Sequence, residues 1–169
     1  MTYLVRRIRA DDWPELRRLR LEALKDTPLA FVEQYDEAAG LSDQRWRERA
    51  RGASSGRARA TFVATTSQAD DGGPAERLVG MAGVFYESEI RDHVSAMLVG
   101  VYVTPAYRGR EQGTATALTT AAVDWAHAEV RPDRIRLFVL DLNDRAKAFY
   151  RRSGFIETGV TMRYPPDPA

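Results

Sequence analysis

Two stretches of the 169-residue chain hold residue types whose spacing suits chemistry. The first, Val101 to Trp125, runs from a β-branched and aromatic segment through Thr104-Pro105 into an Arg- and Gly-rich turn, then directly into a helix. Pro105 cannot continue a ladder, and Gly109 and Gly113 let the backbone turn tightly and present bare N–H groups. A helix that begins near Gly113 leaves its first N–H groups unpaired at the positive end of its dipole. Arg108 and Arg110 add charge beside them, so a phosphate or pyrophosphate is the fitting occupant. The P-loop and the dinucleotide fingerprint are both absent, because no Lys follows Gly113 and the glycines are four apart. The plainer alternative is a solvated Arg/Gly turn. The second stretch is Leu137 to Phe155, LFVLDLNDRAKAFYRRSGF. Asn143 or Asp144 can cap its helix, Ala146, Phe149 and Tyr150 form an inward stripe, and Gly154 supplies a left-handed stop.

The rest of the chain supplies elements to position these stretches. Tyr3 to Ile8 reads as a strand, and Asp11-Asp12-Trp13-Pro14 as an N-cap with Pro in the first helical turn. Trp13, Leu16, Leu19, Ala23 and Leu24 then recur at helical spacing, which leaves Arg17, Arg18 and Lys25 on a solvated face. A second short helix is expected from about Ser42 through Trp46 to Ala50. Between the two, Phe31, Tyr35 and Trp46 serve either as core or, beside Glu33, Asp36 and Glu37, as walls of a substrate pocket. Residues 52–60 read as a connection, Thr61 to Thr66 and Arg77 to Tyr86 as a hairpin with a long tip. After the polar break ESEIRDH, Val94 to Val103 reads as a strand in the middle of the sheet. Ile135 to Leu140 is a further buried strand. Val160 to Tyr164 is either the last strand or leaves an edge for a partner subunit, so a homodimer is expected as one solution.

Composition bounds the functional classes. One domain covering residues 1–169 is the default for this length, and 44% hydrophobic content is enough for a core. A net charge of +1, with both signs mixed along the chain, gives no stripe for nucleic acid or patch for a membrane. No apolar run approaches a membrane span and the N-terminus lacks a signal-peptide core, so a cytoplasmic protein is expected. There is no cysteine, which excludes disulfides, thiolate metal sites and an acyl-cysteine intermediate; with only two histidines, no metal site is expected.

The turn resembles the acyl-CoA signature R/Q-x-x-G-x-G/A of the GNAT N-acetyltransferase superfamily in more than one register. Read without a gap, Arg110, Gly113 and Ala115 fill it, and Leu118 and Trp125 fall at the family's core positions. Read from Arg108, Glu111 occupies a glycine position; with Glu111-Gln112 as an insertion, Arg108 and Gly109 begin the motif. The second stretch resembles the family's N-x-x-A-x-x-F/L-Y-x-x-x-G-F, with Asn143, Ala146, Phe149, Tyr150, Gly154 and Phe155 all in place.

The resemblance implies a single α/β (α+β) domain: a mixed, mostly antiparallel twisted sheet, splayed at its centre, with helices on both faces. Acetyl-CoA would lie in the V between the strands ending at Val103 and Leu140. Backbone groups around Val101, Tyr102 and Val103 would meet the pantetheine, and one N–H near Val101 the oxyanion. Arg108, Gly109, Arg110, Glu111, Gln112, Gly113, Thr114 and Ala115 would hold the pyrophosphate, with Asn143, Ala146, Phe149 and Tyr150 beside the cofactor. The implied reaction is transfer of acetyl from acetyl-CoA to a primary amine by direct attack in a ternary complex, with Tyr150 as acid for the thiolate; as an alternative Tyr150 is a core aromatic. Its phenol, of reference pKa ~10 against ~8.5 for a thiol, is protonated at neutral pH. The family's strand glutamate is missing, with Met97 near its position. Glu87 and Glu89, with Asp92, His93 and Glu33 as alternatives, are the candidate bases or attract a cationic substrate, and Phe31, Glu33 and Tyr35 are the candidate substrate-binding residues. A CoA-binding sensor without transferase activity is the alternative from another class, and an unrelated phosphate binder a third.

Overall fold

Polar residues that break the apolar runs of this sequence do not break its strands. The computed structural model describes residues 2–67, 76–90 and 93–164, with the side chains of residues 88–90 excepted. Four strands form an antiparallel meander: β1 (Leu4–Arg7), β2 (Arg59–Ser67), β3 (Glu76–Ile90) and β4 (His93–Val103). The hairpin strands thus outrun the expected Thr61–Thr66 and Arg77–Tyr86. The expected break ESEIRDH is largely strand, because Glu87 pairs with Ser95 and Ile90 with His93. The long tip between β2 and β3 falls on residues 68–75, outside those described.

Alternation of side chains divides the sheet into two faces. One face, with Val63, Leu78, Met81 and Tyr102, is covered by α1 (Trp13–Asp26), α2 (Tyr35–Ala39) and α3 (Asp43–Ser54), which bury Leu16, Leu19, Ala23, Ala38, Trp46 and Ala50. The other face offers Ala60, Ala64, Ala82 and Ala96 to α4 (Thr114–Trp125), whose Leu118 and Ala122 are fully buried. Small residues on both sides let the backbones approach. Trp46 is 1% exposed, so its ring is core and lines no pocket. Helix α3 is capped by Ser42, whose Oγ accepts from the Arg45 N–H at 3.4 Å, and it runs past the expected Ala50, which shortens the expected connection of residues 52–60. Asp12 precedes α1 without capping it; its carboxylate accepts from the Arg9 N–H and pairs with Arg6 at 2.7 Å.

The last strand, β5 (Arg134–Arg136), is parallel to β4, and the sheet order is β1-β2-β3-β4-β5. Strand β4 therefore lies second from the edge, with β3 at the centre. The ladder between β4 and β5 has three pairs, Ser95 with Arg134, Ala96 with Ile135 and Met97 with Arg136. Beyond Met97 the strands part. The expected strand Ile135–Leu140 is shorter for this reason: residues 137–140 have no ladder to join, and Phe138 is 55% exposed. Just past the parting, β4 carries an extra residue opposite β3, at the shift between Met81–Tyr102 and Gly83–Val99 pairing. Gly100 stands in that bulge at φ +63°, a conformation glycine adopts without strain. Residues 155–164 form no strand, which removes the first of the two readings of Val160–Tyr164; Ile156, Val160 and Met162 are exposed, and the Tyr164 hydroxyl donates to the Phe31 carbonyl at 2.7 Å. Among the described residues no helix is long and apolar enough to cross a membrane.

The contact of α4 with the sheet has no room for a methyl at Gly80, where an added Cβ would lie 2.8 Å from Leu118 Cδ1 and 3.1 Å from the Tyr102 carbonyl oxygen. Leu118 can shift, but the backbone oxygen cannot. Gly80→Ala is expected to destabilise the fold by about 1–3 kcal/mol in urea denaturation, with an unchanged denaturant slope.

Candidate active site

The site is built where β4 leaves β5. Thr104 donates its N–H to the Val79 carbonyl, so β4 is anchored to β3 up to its last residue. Pro105–Tyr107 then form a single 3-10 turn, closed by the Arg108 N–H on the Pro105 carbonyl. From Gly109 to Thr116 no amide N–H makes a well-formed hydrogen bond to the backbone among the described residues, 110–112 being only a loosely closed turn, and the first helical bond of α4 is Ala117 to Gly113. Gly109 at φ +114° and Gly113 at φ +65° make this run of bare amides possible. The Tyr3 hydroxyl donates to the Gln112 carbonyl at 2.9 Å and so fixes the loop to β1. A dense group of N–H donors at a helix start is an anion site.

The two arginines of the loop are differently disposed. Arg110 and Glu111 are exposed. Arg108 is turned inward: its Nε donates to the Val103 carbonyl at 2.7 Å, its guanidinium pairs with Asp26, and it lies 5.2 Å over the Tyr102 ring. Its charge is directed at α1. Val101 is half-buried, Tyr102 and Val103 are buried, and Thr114, at the start of α4, is 1% exposed with its hydroxyl unpartnered.

Across the gap stands α5 (Asp144–Arg152). Asn143 Oδ1 accepts from the Ala146 N–H at 3.0 Å, so Asn143 caps this helix, and Gly154 at φ +91° ends it. The stripe Ala146, Phe149 and Tyr150 is half-buried, as the spacing predicts. Tyr150 packs edge-on against Phe149, with ring centres 5.0 Å apart, and Phe155, at 5.7 Å. Burial pushes its phenol up to about 12. It is thus a proton donor throughout the neutral range.

Glu87 and Glu33, on the α1 face of the sheet, are both held in ion pairs. Glu87 pairs with Arg136 of β5 at 2.6 Å. Burial pushes the Glu33 carboxyl up, but hydrogen bonds from Arg49 at 2.6 Å and Arg20 at 2.9 Å offset this and hold it below its ordinary value. Arg20 in turn lies over the buried Phe31 ring at 4.4 Å, while Lys25 covers the half-buried Tyr35 at 4.5 Å. Phe31, Glu33 and Tyr35 therefore form one structural cluster beside α1. The Glu89 side chain lies outside the described residues. Met97 is 6% exposed and shares a row with Phe85 and Arg136, so no carboxylate stands at that position. An open cavity of about 490 Å³, lined by Thr2, Tyr3, Leu4, Thr66, Ser67 and Tyr107, lies on the β1 side of the loop and away from the gap.

The sequence reading missed a charged stripe on α1. Glu15, Arg18, Glu22 and Asp26 recur at spacings of three, four and four, the helical period, and of these only Arg18 is assigned, to a solvated face. Instead Glu15 accepts from the Leu78 N–H at 3.0 Å, Arg18 pairs with both Glu15 and Glu22, and the Tyr102 hydroxyl meets Glu22 and Asp26 at 3.2 Å each. Periodicity of charge on the flank of an apolar stripe was the available signal.

The sequence matches the model described as the acetyltransferase (GNAT) family over residues 13–155. No curated protein matches it. Among solved structures, an acetyltransferase of the GNAT family from Streptococcus pneumoniae is 19% identical at a TM-score of 0.73, with 96% of this chain and 92% of that one covered. AAC(6')-Iy, an aminoglycoside N-acetyltransferase, in complex with the bisubstrate analogue CoA-S-monomethyl-acetylneamine, is 18% identical at 0.69, with 97% of each chain covered. A tetramutant of BH1408 from Bacillus halodurans is 20% identical at 0.63, with 95% and 97% covered. At these identities the likeness is one of fold.

The Glu33 cluster has a measurable signature. Glu33→Gln leaves Arg20 and Arg49 without their anion and is expected to cost about 3 kcal/mol at pH 7. Because the folded carboxyl is held below its unfolded value of ~4.3, its contribution is present above that pH and is lost as pH falls through the folded value. Urea titrations of both proteins at pH 7 and pH 3 should show the gap closing at the lower pH.

Proposed function

The chain belongs to the GNAT acetyltransferase family, and from that premise we propose that it transfers an acetyl group from acetyl-CoA to a primary amine by direct attack in a ternary complex. The observation that carries this reading is the juxtaposition of eight bare amides, Gly109 to Thr116, with the unpaired edge of β4 beyond Met97. A diphosphate fits the amides, and an extended amide-bearing arm fits the strand edge. The AAC(6')-Iy structure with its CoA-linked analogue supports the choice of CoA. Bound there, acetyl-CoA would supply the thioester that an amine attacks.

Each residue then has a defined task. The amides of Gly109, Arg110, Glu111, Gln112, Gly113, Thr114 and Ala115 hold the pyrophosphate, with Arg110 as the exposed cation. Backbone groups of Val101, Tyr102 and Val103 align the arm. Asn143 sets the start of α5, and Ala146 and Phe149 line its inward stripe, so that the Tyr150 phenol, kept protonated by burial, can donate to the departing sulfur.

The ion pairing of Glu87 and Glu33 bears on the acceptor. Neither is a free carboxylate: Glu87 pairs with Arg136, and the hydrogen bonds from Arg49 and Arg20 hold the Glu33 carboxyl below its ordinary value, which disfavours drawing a proton into it. Deprotonating a lysine-like amine at pH 7 costs about 4.6 kcal/mol, an α-amine of pKa ~7.8 about 1 kcal/mol. Acceptors of low basicity are therefore favoured. The exposed Ile156, Val160 and Met162 support the further reading that the C-terminal segment packs on a second copy; a strictly monomeric species in solution at high concentration would count against it.

The deciding measurement is calorimetric titration with acetyl-CoA beside ADP. Wild-type protein should bind acetyl-CoA at micromolar concentration and ADP weakly, and Gly113→Glu, which puts a carboxylate at the bare amides, should abolish binding. Failure of the folded wild type to bind acetyl-CoA would end the transferase reading. With binding established, Tyr150→Phe should lower kcat about 100-fold while leaving the KM for acetyl-CoA unchanged, read as thiol release with a panel of amines.

A further inference from the structure

The charged stripe of α1 ends at the anion loop, and its last links are not explained by stability alone. In order, the Leu78 N–H binds Glu15, Glu15 and Glu22 flank Arg18, Tyr102 stands between Glu22 and Asp26, and Asp26 takes Arg108. Arg18 also donates to the Leu78 carbonyl, so the first links satisfy the β3 backbone on the side where the β4 ladder, which begins at Gly80, does not reach. The last links satisfy no such group in β3. They reach the residue immediately before the bare amides.

A count of protons shows why the chain must stop at a cation. The Tyr102 phenol has one hydrogen and lies 3.2 Å from both Glu22 Oε1 and Asp26 Oδ2, so it can donate to only one of them at a time. Glu22 has Arg18 at 2.8 Å as its counter-charge. Asp26 has Arg108, whose guanidinium is simultaneously tied to the Val103 carbonyl at 2.7 Å. That carbonyl belongs to the last residue of β4, and the Arg108 backbone N–H is already closed on Pro105. Arg108 is therefore held at both its backbone and its side chain, five residues before Gly113, the N-cap of α4.

We propose that Asp26 and Tyr102 are positioning residues for cofactor binding: they hold Arg108 as a strut that sets the path of the loop from Gly109 to Gly113, and they withdraw its charge from the pyrophosphate, which is left to Arg110. This rests on the transferase reading for the identity of the ligand, though the strut itself belongs to the ligand-free protein. Neither Asp26 nor Tyr102 touches the reacting atoms by this assignment, and loss of either acts through Arg108.

Two measurements test it. The first needs no ligand: limited trypsin digestion, followed by mass spectrometry, at the bonds after Arg108 and Arg110. Asp26→Ala should speed cleavage at both by about tenfold, the size of a typical pairwise coupling, while unfolding in urea and cleavage after Arg57 stay as in wild type. Unchanged cleavage at the loop, or acceleration at every site alike, would overturn the strut. The second is the acetyl-CoA titration carried out as a double-mutant cycle at two salt concentrations. Asp26→Ala and Arg108→Ala should each weaken binding about tenfold, the double variant no more than either alone, and Asp26→Asn, which keeps an acceptor, should recover part of the loss. The salt dependence should fall in Arg110→Ala and persist in Arg108→Ala. Additive losses in the cycle, or a salt dependence removed by Arg108→Ala, would overturn the proposal, since Arg108 would then meet the phosphates itself. Saturating acetyl-CoA should restore the wild-type kcat in Asp26→Ala, a split that general damage to the fold would not give. Trypsin results as expected combined with no acetyl-CoA binding by wild type would leave the strut standing and remove the ligand, which separates failure of this inference from failure of the transferase reading.

Discussion

The constraint on which the rest depends is the parting of β4 from β5 after three parallel pairs. A strand edge left without a partner exposes N–H and C=O groups that must find water or a ligand. Here the edge is kept open from both sides. The bulge at Gly100 bends β4 at that point, and the chain after Arg136 carries Leu137 and Tyr150 onto the α4 face of the core. The opening is thus a product of the packing, and β4 runs on to Val103 beyond its last β5 pair before the turn with its bare amides leads into α4 at Thr114.

Electrostatics then fills in what the backbone leaves. The arginines and carboxylates that line α1 and the acceptor side are committed to each other: Glu33 to Arg20 and Arg49, Glu87 to Arg136, Asp26 to Arg108. Such pairs at partial burial are worth less as attraction than they would cost if broken. Their effect is geometric. They hold helices, sheet and loop in one register.

Much of this was legible in the chain itself. The Asn143 cap, the Ala146–Phe149–Tyr150 stripe and the Gly154 stop stand where their spacing put them, since each is a local property of one helix and its ends. The Gly113 turn was legible for the same reason. Strand limits were less so. Ser67, Glu76, Glu87 and Ile90 pair in ladders although their sequence context is polar, and the apolar run after Arg136 reports burial without reporting the missing partner. The α1 stripe was missed because Glu15, Arg18, Glu22 and Asp26 find their partners at Leu78, Tyr102 and Arg108, positions more than 50 residues away that no helical wheel contains. The double arginine clamp on Glu33 escaped notice similarly, as a carboxylate near aromatics suggests a pocket until the cations across from it are known.

The short parallel ladder also divides the molecule into parts of unequal cooperativity. The four-stranded meander with α1, α3 and α4 closes through long antiparallel ladders, whereas β5 and α5 are attached by three strand pairs and by the packing of Ile135, Leu137, Tyr150 and Phe155. The C-terminal limb is accordingly the unit with the smaller free energy of opening, and its excursions widen the gap without unfolding the meander. A ligand lodged between the limbs contacts both, so its binding free energy adds to the stability of the weaker one by mass action. In the proposed enzyme the acyl donor would then act as the missing staple of the fold, and the concentration of that donor would set how much of the time the limb stays closed.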